Sequence, residues 1–156
     1  MKIEWKRLII CLLLPLGVGL VSALLTRGGM ETFETLQQPP LSPPGWLFPV
    51  VWTILYLLMG LASYLMSTSD ASPGEKFTAW SVYAAQLFFN FFWSIWFFGL
   101  KLYTFSFLWL LVLWALILLN VILFYRIRKA AGYLLIPYLA WVSFAGYLNL
   151  AIAILN

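Results

Sequence analysis

Histidine is absent from this chain of 156 residues, and cysteine occurs only once, as Cys11. The lack of histidine removes the commonest metal ligand among side chains and the usual general base at neutral pH. A single cysteine cannot form an intrachain disulfide. We therefore expect no metal site, no haem iron held by histidine and no conventional acid–base catalysis.

Charged residues are also scarce, at 9% of the chain, whereas hydrophobic residues make up 64%. A soluble domain normally contains about 25% charged residues. So few charges cannot cover a surface that faces water, and lipid must therefore surround most of the protein. The net charge of +4 comes from basic residues at the edges of apolar stretches, which is not the pattern of a nucleic-acid-binding surface.

Five apolar stretches are long enough to cross a bilayer, which predicts an all-α membrane protein with a five-helix transmembrane bundle. We expect a single domain over residues 1–156, with helices at about 8–25, 46–66, 77–98, 102–125 and 133–155. A basic start before an apolar stretch is also typical of a signal peptide, but the first stretch exceeds the usual ~7–15 residues. We therefore interpret it as a retained helix.

The segments between the predicted helices differ in character. Residues 26–44 form the longest polar stretch, and the prolines near its end forbid a continuous helix there. Residues 67–76 are rich in turn-forming residues. Residues 99–101 are few enough for a tight hairpin, so the third and fourth helices must be antiparallel neighbours. We interpret residues 126–132 as a basic loop.

The basic residues are distributed unevenly between the two sides of the predicted bundle. The side of the N-terminus has Lys2, Lys6, Arg7, Lys76, Arg126, Arg128 and Lys129, whereas the other side has Arg27 and Lys101. The positive-inside rule then places the N-terminus in the cytoplasm. The short ends and the lack of a transit peptide favour a bacterial cell membrane.

None of the predicted spans contains Asp, Glu, Lys or Arg. Proton- and ion-driven transporters usually need such a group near the middle of the membrane. A pump, a proton antiporter or a charge-selective channel is therefore not expected. The polar residues within the spans are neutral amides, namely Gln86, Asn90, Asn120 and Asn149.

Three of the predicted helices combine large aromatic side chains with small or amide side chains on one face. These faces contain Gln86, Asn90, Trp93 and Phe97 on the third helix, Trp52, Tyr56 and Ser63 on the second, and Trp141, Ala145 and Leu148 on the fifth. One interpretation is structural, because amides join neighbouring helices and aromatic rings fill the core. The other is a pocket for a flat aromatic molecule, which such rings bind by offset stacking or edge-to-face contact.

Three motifs follow one another along the chain. The first is Pro39-x-x-x-Pro43-Pro44-Gly45-Trp46-x-Phe48, followed by Val51-Trp52-Thr53-x-Leu55-Tyr56-x-x-Met59-Gly60-x-Ala62. The second is Gln86-Leu87-x-x-Asn90-x-x-Trp93-Ser94-x-x-Phe97-Phe98-Gly99. The third is Ala131-Gly132-x-Leu134-Leu135-x-Pro137-Tyr138-Leu139-x-Trp141-Val142-x-Phe144-Ala145, followed by Leu148-Asn149. Together these motifs resemble the translocator protein family, also known as the tryptophan-rich sensory proteins.

The resemblance implies a five-helix bundle that forms a homodimer, with a pocket between the helices and residues 26–44 as its lid. It implies binding of porphyrins, of benzodiazepine-type drugs and, in some members, of sterols. Carried over by motif, the pocket residues are Phe48, Trp52, Asn90, Trp93, Trp141, Ala145 and Leu148. Trp52 and Trp141 also match the tryptophans implicated in the light-driven breakdown of protoporphyrin by some bacterial relatives.

We therefore expect a membrane protein that binds protoporphyrin IX, requires no cofactor, and acts in tetrapyrrole sensing, transport or disposal. One alternative is an enzyme that degrades the porphyrin with light and oxygen, with a tryptophan side chain as electron donor. The other is a sterol-binding, lipid-binding or purely structural membrane protein. The segment LAIAILN, 150–156, lacks the Tyr and Arg of the animal sterol-recognition segment, which makes a sterol the weakest of these ligands.

Overall fold

The computed structural model describes residues 2–156, and these residues form six α-helices, five of which are long and apolar enough to cross a membrane. The helices are α1 (Trp5–Leu25), α2 (Gly29–Thr35), α3 (Leu47–Ser67), α4 (Pro73–Ser94), α5 (Tyr103–Ile127) and α6 (Lys129–Leu155). A π-helical turn, Ile95–Gly99, extends α4. The predicted all-α architecture is confirmed.

α4 begins at Pro73, four residues before its predicted start. Ser72 caps this helix, because its Oγ accepts a hydrogen bond from the Glu75 N–H at 3.2 Å. Glu75 Oε2 in turn accepts from the Ser72 N–H at 3.0 Å, which completes a capping box. Pro73 occupies the first helical position, where a missing N–H costs least. The last residues of the turn-rich segment therefore belong to the helix.

The prediction of a basic loop at 126–132 is wrong. Only Arg128 separates α5 from α6, with an extended backbone at φ −153° and ψ 120°. Gly132 lets the two helices approach closely beside this break, since a Cβ at that position would lie 2.7 Å from Tyr125 Cα. The basic side chains therefore extend from the ends of two helices.

The polar segment 26–44 contains a helix, α2, that is not predicted from its sequence. It begins after Gly28, whose φ of 86° lies in the left-handed region that favours glycine. Phe33 on α2 is buried, and its ring contacts Phe48 at 5.3 Å and Phe98 at 6.0 Å between centroids. α2 therefore covers one end of the bundle.

α3 lies between α1 and α6, while α5 packs against both α4 and α6. α1 and α3 approach closely at Gly60, where a Cβ would lie 2.7 Å from Cys11 O and from Leu12 Cα. Glycine is required at this contact because any side chain would clash with the backbone of α1. From this contact toward α2 the two helices enclose a cavity.

Candidate ligand-binding cavity

A cavity of about 770 Å³ lies between α1 and α3 at the end of the bundle that α2 covers. α1 contributes Leu16, Gly19, Leu20, Ser22, Ala23 and Thr26, and α3 contributes Phe48, Pro49, Trp52, Thr53 and Tyr56. The remaining lining comes from the segment that contains α2 and from the end of α4. The volume falls within the range of about 300–1,000 Å³ that is typical of small-molecule sites.

One wall of the cavity is aromatic and the other is built from small side chains. Phe48, Trp52 and Tyr56 follow at intervals of four residues along α3, so they lie on one face. The rings of Trp52 and Tyr56 are stacked, with centroids 5.7 Å apart and planes 29° apart. Gly19 and Ser22 on α1 contribute the small residues. This arrangement suits a flat, apolar ligand that stacks on one surface.

The edge of the cavity next to α2 carries charge. Arg27 and Glu34 both line the cavity there, and both side chains are exposed. Among the described residues that line the cavity, Arg27 is the only lysine or arginine. A guanidinium group binds a carboxylate through two parallel hydrogen bonds. A ligand with an apolar body and a carboxylate at one edge would therefore match both parts of the cavity.

Asn90 on α4 lies behind the cavity wall and is fully buried. Its Oδ1 accepts from the Tyr56 hydroxyl at 2.8 Å, and its Nδ2 donates to the Tyr138 hydroxyl at 2.8 Å. Tyr138 donates in turn to Gln86 Oε1 at 2.6 Å. This chain of hydrogen bonds joins α3, α4 and α6, and it holds Tyr56 in the wall.

Trp93 is also buried, one helical turn beyond Asn90. Its Nε1–H donates to Asn149 Oδ1 on α6 at 3.0 Å. Its ring lies against that of Trp52, with centroids 6.3 Å apart and planes 37° apart. Trp93 thus supports the back of the Trp52 ring, which itself faces the cavity.

α6 supplies the other three predicted site residues. Trp141 contacts the Phe48 ring, with centroids 5.9 Å apart, and its indole N–H is buried without a hydrogen-bond partner. Ala145 and Leu148 are buried. None of the three lines the cavity, because α6 packs against the other side of α3.

The predicted site residues therefore divide into two groups. Phe48 and Trp52 line the cavity. Their rings contact those of Trp141 and Trp93, and the rings of Phe33 and Phe97 connect the two pairs in one aromatic cluster. The other five predicted residues lie behind this wall, so their contact with a ligand stays a prediction. The lining of α1 was missed, although Gly19, Ser22, Ala23 and Thr26 occur at the spacing of one helix face.

The model of the TspO/MBR family matches residues 11–155. This chain belongs to the TspO/MBR family. It is 39% identical to the tryptophan-rich protein TspO of Chlorobaculum tepidum, over 96% of this chain and 95% of that protein. It is 36% identical to the tryptophan-rich sensory protein of Cereibacter sphaeroides, over 81% of this chain and 77% of that protein. It is 34% identical to the translocator protein of Bos taurus, over 88% of this chain and 82% of that protein. The resemblance found in the motifs is confirmed.

In this member of the TspO/MBR family, the segment around α2 is tied to α6 as well as to the cavity. The Tyr147 hydroxyl donates to Pro40 O at 2.7 Å. The Gln37 N–H donates to Asn156 Oδ1 at 3.1 Å, and Asn156 Nδ2 donates to Gln37 O at 3.1 Å. These contacts hold the proline-rich segment across the end of the bundle.

Proposed function

We propose that this member of the TspO/MBR family binds a porphyrin, protoporphyrin IX, in the cavity between α1 and α3. The observation that supports this most is the stacked pair of Trp52 and Tyr56 in a wall of a cavity of about 770 Å³. A flat macrocycle would lie against Trp52, with its apolar edges between α1 and α3. The protein would act in tetrapyrrole sensing, transport or disposal.

The charges at the cavity edge suggest the orientation of the porphyrin. Its two propionates would point toward α2, where Arg27 offers a guanidinium group. The apolar side of the ring would then lie deepest, at the end of the cavity where the Tyr56 ring packs against Gly19. A metal-free ring is favoured because the chain has no histidine to hold an iron.

An absorbance titration of the purified protein with protoporphyrin IX tests this proposal. We expect one site per chain and quenching of tryptophan fluorescence. Trp52→Ala should weaken binding by about 1–3 kcal/mol, the range for loss of an aromatic stacking surface. Trp114→Ala is the matched control, since Trp114 is half-buried on α5 and donates to Ser143 Oγ outside the cavity. Equal affinities of Trp52→Ala and wild type, with both proteins folded, would overturn the proposal.

Light-driven porphyrin breakdown is a second candidate function, favoured by the position of Trp52 in the cavity wall. An indole there could donate an electron to an excited porphyrin stacked on it, giving an indole radical cation and a porphyrin radical anion. Molecular oxygen would be the oxidant for the breakdown of the ring. Trp52→Phe keeps most of the stacking area but removes the better electron donor. Illumination with product spectra should therefore show slower breakdown by Trp52→Phe at nearly unchanged dark affinity. Trp141→Phe should have a smaller effect, because Trp141 lies behind Phe48.

A further inference from the structure

A groove on the outer surface of the bundle runs between α1 and α4, on a different face of α1 from the cavity. The part near the N-terminus has a volume of about 740 Å³ and carries Lys6, Arg7 and Lys76. The adjoining part has a volume of about 640 Å³ and extends to Val21 along apolar side chains. Trp80 lines both parts, so the cationic and apolar regions are continuous.

The cationic part contains more positive than negative charge. Arg7 Nη1 and Lys76 Nζ both donate to Ser67 O, at 3.2 and 3.0 Å, so two cations share one uncharged acceptor. Glu4 pairs with Arg7 at 3.3 Å. No other carboxylate in residues 2–156 lies within 4.0 Å of a lysine or arginine nitrogen, so Lys6 and Lys76 have no anionic partner there. The site can therefore accept an anion.

The two parts together have the length of a lipid tail site, because Ile10 and Cys11 continue the apolar lining into the part that carries Arg7. From Arg7 to Val21 the helix rises about 21 Å, which exceeds the ~15 Å of hydrocarbon in one leaflet. Trp80 is half-buried at the junction, a position typical of tryptophan at the membrane–water interface. Gly17 leaves open space in the groove, since a Cβ there would meet no atom within 4 Å.

We propose that this groove binds an anionic glycerophospholipid, with its phosphate between Arg7 and Lys76 and an acyl chain along α1 and α4. Charge favours a lipid over a second copy of this chain. Two copies with the same membrane orientation that met through this groove would bring their cationic ends together in one leaflet. An anionic headgroup instead neutralises them, and the apolar tail covers the rest of the groove.

Native mass spectrometry of the detergent-solubilised protein tests the headgroup site, with phosphatidylglycerol and phosphatidylcholine of identical acyl chains as probes. We expect one phosphatidylglycerol per chain to be retained in preference to phosphatidylcholine. Arg7→Gln with Lys76→Gln should weaken phosphatidylglycerol binding about thirtyfold, as expected for two cations near an anionic lipid. The control pair, Arg126→Gln with Lys129→Gln, makes the same charge change on the same side of the membrane. It should weaken phosphatidylglycerol binding less than about threefold. Equal losses in the two pairs would overturn the site.

Gly17→Leu tests the acyl-chain part without a change in charge. The leucine side chain should fill the open space and lower phosphatidylglycerol retention about tenfold, while porphyrin binding on the other face of α1 stays unchanged. Unchanged lipid retention would overturn the groove as the acyl-chain site. Loss of self-association with unchanged lipid retention would also overturn the proposal and assign the groove to a second copy of the chain.

Discussion

Asn90 shows how a residue near the site can act through its neighbours. Its amide joins the hydroxyls of Tyr56 and Tyr138, both at 2.8 Å, and it does not line the cavity. Within the membrane no bulk water can hydrogen-bond these groups, so each of them depends on the others for a partner. The geometry favours a positioning role in which Asn90 fixes Tyr56, the ring on which Trp52 stacks.

Asn90→Leu should therefore lower stability more than it lowers porphyrin affinity. The change leaves the buried Tyr56 hydroxyl without a partner and removes one of the two hydrogen bonds of the Tyr138 hydroxyl, which still donates to Gln86. An unpaired buried hydroxyl costs about 1–3 kcal/mol of unfolding free energy. Thermal unfolding in detergent, together with a porphyrin titration, measures both effects. Tyr56→Phe is the matched variant, because it removes the same hydrogen bond from the other side. A large loss of affinity in Asn90→Leu alone would instead show direct contact with the ligand.

At the scale of elements, α2 depends on contacts with α3, α4 and α6. Phe33 anchors it through the rings of Phe48 and Phe98. The segment after α2 is held by Tyr147 and Asn156 near the end of α6. Residues of α2 line the mouth of the cavity, so we propose that these contacts control whether a ligand can pass there.

Tyr147→Phe with Asn156→Ala should speed porphyrin release severalfold while the dark affinity changes little. The double substitution removes the hydrogen bonds that hold the proline-rich segment to α6, so the segment opens more often. Stopped-flow fluorescence measures the release rate. Tyr133→Phe, at the opposite end of α6, is the control. Unchanged release would mean that the ligand leaves sideways between α1 and α3.

At the scale of the whole molecule, charge distinguishes the two ends of the bundle. The end of the N-terminus gathers seven lysines and arginines against three acidic residues, whereas the end of α2 has two of each. Helix packing does not depend on which end faces the cytoplasm, but insertion into a membrane does. The charge difference therefore predicts the orientation independently of the fold.

We predict that the N-terminus lies in the cytoplasm and that α2 lies on the opposite side. Single cysteines at Asp70 and Thr35, in a Cys11→Ser background, would be labelled with a membrane-impermeant maleimide on intact cells. Both positions are exposed, so reactivity reports the side rather than burial. Thr35→Cys should react and Asp70→Cys should not. The reverse pattern would refute the orientation.

We also propose a homodimer, chiefly because the resemblance to the family implies one. Ser81 and Ala85 on α4 offer a contact between small residues. In the single chain Ser81 is exposed and Ala85 is half-buried. Light scattering corrected for detergent should give the mass of two chains. Ser81→Trp should shift the mass toward one chain, because a large side chain prevents close approach. A single-chain mass for the unaltered protein at every concentration would contradict the proposal.

The sequence by itself determined the number of membrane spans, because a bilayer demands long apolar helices whatever their packing. Its motifs also determined the family. The Asn90–Trp93 face was expected either to join neighbouring helices or to line a pocket, and the structure buries both residues behind the cavity wall. Only the tertiary structure decided which aromatic residues reach the cavity. Trp52 and Trp141 are equally apolar in sequence, but α6 packs against α3, and this places Phe48 between Trp141 and the open space. The sequence likewise did not show that Gly19 and its neighbours on α1 line the cavity. What a small residue does depends on the helix that packs opposite it.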